Sequence, residues 1–233
     1  MKSQHGRSDH ETKDIKYVCR RLDEFYEAAV RNNYPYMTME AEEVPPAMVV
    51  DLEDGGDVKW KMLPSTITER QICELESRLA QQLPPMYRAY PKSRFHLFEH
   101  LHPYHIVDEW NGPRKGCVAI ATLPCDRPFW VFENANRPES NDFRSRFEHQ
   151  LFAAGFILIG WNITERFALN THSPNSEGDY EVVMLSQDLE NDFYGKEPNS
   201  PLPFDLLDIS SYMYTLCSSF REFVDLFIRY PAR

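Results

Sequence analysis

"FILIGWNITERFALNTHSPNSEGDYEVVML", residues 156–185, decides the fold. Three short β-type runs stand in it, "FILIG", "RFALN" and "YEVVML", separated by stretches that hold Asn, Ser, Pro and Gly. Runs of this length, rich in branched and aromatic residues and bounded by turn formers, read as strands. Upstream, "CVAIAT" from Cys117 and "FWVFE" from Phe129 continue the same texture. Before the first quoted run, "SNDFRSRFEHQLFAAG" spaces Phe143, Phe147 and Leu151 by four and closes on Gly155, which predicts a helix with a glycine C-cap. Downstream, Ser219 and Glu222 form a capping box ahead of "FREFVDLFI", whose Phe220, Phe223, Val224 and Phe227 make one apolar face.

Toward the N-terminus the texture is helical. "STITERQICELESRLAQQLPP" opens with Thr68 three residues before Gln71, a capping box, and carries Ile72, Leu75, Leu79 and Leu83 on one stripe. Pro84 and Pro85 end that helix, and Pro85 suits the first position of the next, where its missing N–H costs nothing. Tyr87 and Tyr90 then belong to a second helical stretch that breaks at Pro91 and runs to about Leu101. Ile15, Val18, Leu22, Phe25 and Ala29 predict another amphipathic helix near the start. "MEAEEVPPAM" and "DLEDGGD" read as connector and tight turn, which places residues 1–57 as an N-terminal helical extension with an acidic linker and residues 58–233 as the main domain. Helices flanking a mostly antiparallel sheet make an α+β architecture.

Composition narrows the function. Of 233 residues, 25 are Lys or Arg and 36 are Asp or Glu, a net charge of −11 that repels phosphate backbones and anionic lipid surfaces. Neither nucleic acid nor membrane is therefore an expected partner, whereas a basic protein is. Five scattered cysteines without a C-x-x-C pair indicate neither a disulfide framework nor a zinc ribbon, and suggest a reducing, cytoplasmic setting. "MKSQHGRSDHETKD" lacks the apolar stretch of a secretory signal.

Several segments invite catalytic readings. "HLFEHLHPYH", residues 96–105, contains His96-Leu97-Phe98-Glu99-His100, the H-x-x-E-H spacing of inverted zincin peptidases. On a helix His96 and His100 share a face as zinc ligands require, yet Phe95, Phe98 and Leu101 fall on the opposite side, so the motif reads as a solvated helix face, with His102 and His105 in the loop beyond. No serine-hydrolase elbow, P-loop or dinucleotide fingerprint is present. Cys117 reads as a strand cysteine of the core rather than a nucleophile, and the acid spacing in "DLEDGGD" misses that of a calcium loop. Trp110, Trp130 and Trp161 invite a binding reading, in which Trp130 inside "FWVFE" packs on the sheet and Trp161, after Gly160 at a strand end, is either a core lid or an exposed anchor.

"SQDLENDFYGKEPNSPLP", residues 186–203, is the strongest interface candidate. Its Gly and Pro content predicts a long loop. Asp188, Glu190 and Asp192 could steer a basic partner, and Phe193 and Tyr194 beside them could anchor it. The alternative is a surface insertion in which Phe193 folds back onto the core.

The order of these pieces resembles the SUKH superfamily of bacterial immunity proteins and fungal cell-wall synthesis regulators. "LPSTITERQICELESRLAQQLPPMYRAY" is similar to its opening signature, "FILIGWNITERFALNTHSPNSEGDYEVVML" to its central hairpin with Gly-Asp-Tyr, and "CSSFREFVDLFI" to its closing Ser-Ser-Phe helix. Together the blocks cover roughly residues 60–229. Where the family often has a Gly-Asp turn, this chain has Trp161-Asn162-Ile163-Thr164. The resemblance implies a SUKH-like domain that binds protein and carries neither catalytic residues nor a cofactor. The expected function is that of an immunity protein neutralising a cognate toxin, a basic one such as a nuclease, with Asp188, Glu190, Asp192, Phe193, Tyr194 and Trp161 as contact residues. A scaffold of the cell-wall regulator type is the alternative, and a zinc peptidase using His96, Glu99 and His100 a third reading.

Overall fold

The three runs read as strands form the middle of a six-stranded antiparallel sheet. In a computed structural model of the protein, residues 4–32, 38–40, 44–52, 57–97, 100–108, 112–120, 143–161, 165–172, 174–194 and 208–227 are described. The sheet joins β6 (His100–Asp108), β7 (Gly112–Ile120), β8 (Phe156–Trp161), β9 (Glu165–Asn170), β10 (Glu181–Ser186) and β11 (Met213–Cys217), each beside its neighbour in sequence. Helices on both sides complete an α+β architecture: α1 (Gln4–Arg31), α2 (Glu69–Leu79), α3 (Pro85–Ala89), α4 (Phe143–Ala153), α5 (Gln187–Tyr194) and α6 (Phe220–Phe227).

Strand alternation divides the interior in two. Successive side chains of a strand point to opposite faces, so Ile157, Ile159, Phe167, Leu169, Val182 and Met184 enter one core while Phe156, Leu158, Ala168, Val183 and Leu185 enter the other. The register enforces this: Val182 pairs with Leu169 and Met184 with Phe167, whereas Val183 pairs with Ala168. The larger core is closed by Val18, Leu22 and Phe25 of α1, Ile72 and Leu75 of α2, Tyr87 near α3's centre, and Phe220, Phe223 and Val224 of α6. The smaller is closed by Phe147 and Leu151 of α4 and by Leu189 and Phe193 of α5.

Local signals account for the helix ends. The Thr68 hydroxyl accepts from the Gln71 amide at 3.4 Å, and the Gln71 side chain accepts from the Thr68 amide at 2.9 Å. Pro85 opens α3 as its first residue. At α6 the Ser219 hydroxyl accepts from the Glu222 amide at 3.1 Å, while the Glu222 carboxylate reaches one residue further back, to the Ser218 amide at 2.7 Å. Gly155, at φ +84°, ends the turn after α4, and a Cβ there would lie 2.8 Å from the His172 ring. Glycine is required at that position.

Three expectations need correction. The helical stretch predicted to run to Leu101 stops at Ala89, followed by turns at residues 90–93, by β5 (Arg94–Phe95) and, from His100, by β6. Pro91 removes the amide that would continue the helix, and β5 then pairs with β4 (Leu63–Pro64). The predicted loop after Ser186 begins instead as α5, because Leu189 and Phe193, four apart, bury one helical face. Met213–Cys217, a run with no expectation attached, forms the edge strand β11. Finally, residue 57 does not separate an extension from a domain. A three-stranded sheet of β1 (Thr38–Glu40), β2 (Val49–Leu52) and β3 (Asp57–Trp60) crosses it, and α1 contributes to the main core.

Polar contacts also hold α1 against the rest of the fold. Asp23 takes two bonds from the Arg94 guanidinium at 2.8 and 3.0 Å, Asp14 pairs with Arg221, Glu11 with Lys92, and the Tyr17 hydroxyl donates to Asp225. The strand read in "FWVFE", Trp110, Trp130 and the Gly-Gly turn at residues 55–56 lie outside the described residues, as do Asn162, Ile163 and Thr164.

Candidate functional site

Helix α5 starts where β10 ends, with the Ser186 hydroxyl accepting from the Asp188 amide at 3.1 Å in the manner of an N-cap. Leu189 and Phe193 are buried in the smaller core, and the Phe193 ring lies 5.6 Å from that of Phe147 and 4.9 Å, edge on, from that of Tyr194. Phe193, 2% exposed, is therefore a core residue and not a surface anchor, which corrects one member of the expected contact set. Tyr194 is half-buried. By anchoring α5, these contacts turn Asp188 and Asp192 outward, where both are exposed.

The three acids differ in their surroundings. Glu190 pairs with Arg166 of β9 at 3.0 Å and accepts from the Gln187 amide group at 2.9 Å, so part of its charge is already neutralised. Asp192 accepts a hydrogen bond from the Tyr212 hydroxyl, and Asp208 precedes the short turn that carries Tyr212. Ser210 and Ser211 bond to the Asp208 carboxylate and hold its pKa below the usual range. The phenol of Tyr212 is pushed above its usual pKa by its bond to Asp192, then by burial and by the charges of Asp192, Asp188 and Asp208. The charges of Asp192, Asp188 and Asp208 thus all act on one phenol, and of the three Asp192 alone is its hydrogen-bond partner. Asp208 and Tyr212 carry no motif spacing, which is why sequence reading passed over them.

Trp161 ends β8, and its Cα partner across the ladder is Arg166, the residue that pairs with Glu190. The backbone thereby brings the Trp161 position to the end of the sheet where Glu190 sits.

The H-x-x-E-H segment has a different geometry from the one its spacing suggests. His96 follows β5 in extended chain, is 1% exposed, and shares a hydrogen bond of 2.9 Å between its Nε2 and the Tyr90 hydroxyl. Burial drives its pKa down to about 4, so the imidazole is neutral. Its ring packs edge on against Tyr90, which in turn meets Phe220. Neither histidine stands on a helix, since His100 begins β6, and the one-turn spacing that would align two zinc ligands is lost. The solvated-face reading of His96 is corrected by the same finding, and His102 and His105 lie in β6 rather than in a loop. Glu99 lies outside the described residues. Among the described residues no group of three or more His, Cys, Asp or Glu side chains is placed to hold a metal ion, and no helix is long and apolar enough to cross a membrane. Cys117 stands in β7.

No family model matches the chain, and no curated protein matches it.

Proposed function

We propose that the chain is a SUKH-like, non-catalytic protein-binding domain that acts in the cytoplasm as an immunity protein, neutralising a basic toxin domain such as a nuclease. The observation that carries this reading is the outer side of α5, where Asp188 and Asp192 are presented beside Tyr212 on a helix fixed by Leu189 and Phe193. A rigid acidic surface attracts a basic partner over long range and selects it by charge. An aromatic ring among the charges adds contact area at little entropic cost. The net charge of −11 acts in the same direction.

The order of elements supports the SUKH assignment. The capped α2, the Leu-Pro-Pro entry to α3, the β8–β9–β10 meander with Gly178-Asp179-Tyr180, and the Ser-Ser-Phe start of α6 pack around one core in the sequence order of the resemblance.

The test is binding to the toxin domain encoded beside the gene, with Asp188, Glu190 and Asp192 changed together to lysine. The reading predicts a loss of affinity of roughly a hundredfold or more, most of it in the association rate and steepest at low salt. Unchanged affinity would remove α5 from the interface. A chain that binds several unrelated proteins and no toxin would belong to the scaffold class instead.

A further inference from the structure

On the other side of the sheet a cleft of about 620 Å³ opens between the N-terminal part of α1, the start of α3, the β9–β10 turn and the start of α6. Pro85 and Met86 give it an apolar lining, and charged side chains make up most of the rest.

The cations at this cleft are already matched. Arg221 pairs with Asp14 and lies 4.7 Å over the Tyr17 ring. Arg88, 6% exposed, pairs with Glu69 and Glu76, and Lys92 behind it pairs with Glu11 and Glu69. The start of α6, which would otherwise attract an anion, is occupied by Asp179, whose carboxylate accepts from the Arg221 amide at 3.2 Å. An anionic ligand would have to displace one of these contacts.

The carboxylates are in excess. Glu177 is exposed at the rim and has no ion-pair partner among the described residues. Asp179 is 5% exposed, and its amide bonds, from Tyr180 at 3.0 Å, from Arg221 and from Phe220, still leave part of the acceptor capacity of a carboxylate. An apolar surface next to these two acids matches a side chain with a carbon stem and a cationic head. Arginine suits this better than lysine, because its planar fork meets carboxylates with two bonds and is less strongly hydrated.

We propose that the cleft seats an arginine side chain presented by the basic protein partner, its stem on the exposed Pro85 ring and its guanidinium at Glu177 and Asp179. This deepens the protein-binding reading above and rests on it.

The experiment is an NMR titration of the ¹⁵N-labelled protein with N-acetyl-arginine methylamide, with the citrulline analogue as the uncharged isostere. The expected result is shifts confined to residues around Met86, Glu177 and Asp179, at least about tenfold weaker with citrulline and abolished in Glu177→Lys, an exposed change that leaves the thermal melt in place. Absence of localised shifts, equal response to citrulline, or shifts centred on Asp188 and Asp192 would overturn the proposal. With a cognate toxin domain, affinity retained in Glu177→Lys but lost in the α5 variant would overturn the cleft alone. If no toxin domain binds while the arginine probe still titrates with Glu177 dependence, the immunity reading falls and the cation site stands.

Discussion

The Asp179 carboxylate accepts a hydrogen bond from the backbone amide of Arg221 at 3.2 Å, so the turn between β9 and β10 caps a helix 42 residues further along. Removing a side-chain cap costs about 0.5–2 kcal/mol, and leaving a buried amide without a partner costs about 1–3 kcal/mol. Asp179→Ala should therefore lower stability by about 2 kcal/mol, read from the midpoint of urea unfolding. Burial raises the pKa of this carboxyl above the usual range. Asp179→Asn keeps one acceptor oxygen, whereas Tyr180 and Arg221 each use a different one, so it should recover only about half of the loss seen in Asp179→Ala.

His96 predicts acid sensitivity. Its folded pKa, lowered by burial to about 4, lies below the ordinary value of 6.5. The unfolded chain then takes up the proton first, so stability is present above pH 6.5 and declines as pH falls toward 4. The gap corresponds to roughly 3 kcal/mol. Urea midpoints measured between pH 7.5 and 4.5 should show this decline, and His96→Gln, which can still share a hydrogen bond with Tyr90, should flatten it.

Phe193 separates packing from binding. Phe193→Ala should cost about 3–5 kcal/mol, because it empties a site in the smaller core. Asp188→Ser and Asp192→Ser, both exposed, should each stay within about 0.5 kcal/mol by the same thermal melt.

Arg88 is a buried cation between two carboxylates. Arg88→Met leaves the Glu76 charge with the Leu83 amide but no cation and should destabilise by about 3 kcal/mol, the lower end for breaking a buried pair because Glu69 is half exposed. The triple change Arg88→Met, Glu69→Gln, Glu76→Gln should recover most of that loss in the same unfolding assay. A loss that is undiminished in the triple variant would mean that shape, rather than charge pairing, sets the cost.

The sequence reading succeeded where one residue pattern answers to one local cause. Thr68 and Gln71 formed their capping box, Pro85 opened its helix, and the apolar runs at residues 156–185 became three neighbouring strands. It failed where a distant partner decides. The His96 segment has helical spacing, yet Pro91 and the pairing of Arg94 with Pro64 hold it extended, and neither cause is visible in the periodicity of residues 95–101. Phe193 reads as an anchor or a core residue until Phe147 is known to face it. Cleft residues from four elements, such as Glu11, Arg88, Glu177 and Arg221, share no spacing at all.

The link from Tyr17 to Asp225 spans 208 residues, whereas each strand of the large sheet pairs with the next in order. During synthesis the meander can assemble strand by strand, since local pairings close small loops. Helix α1, made before the sheet, must wait for α6, made after it, before its acids and apolar face are fully covered. The cleft lies between those two helices and the parts they clasp, so it forms only once α6 has been made. A nascent chain would then expose its α5 surface before it owns a finished cleft, and occupation of the cleft would report that α1 and α6 have met.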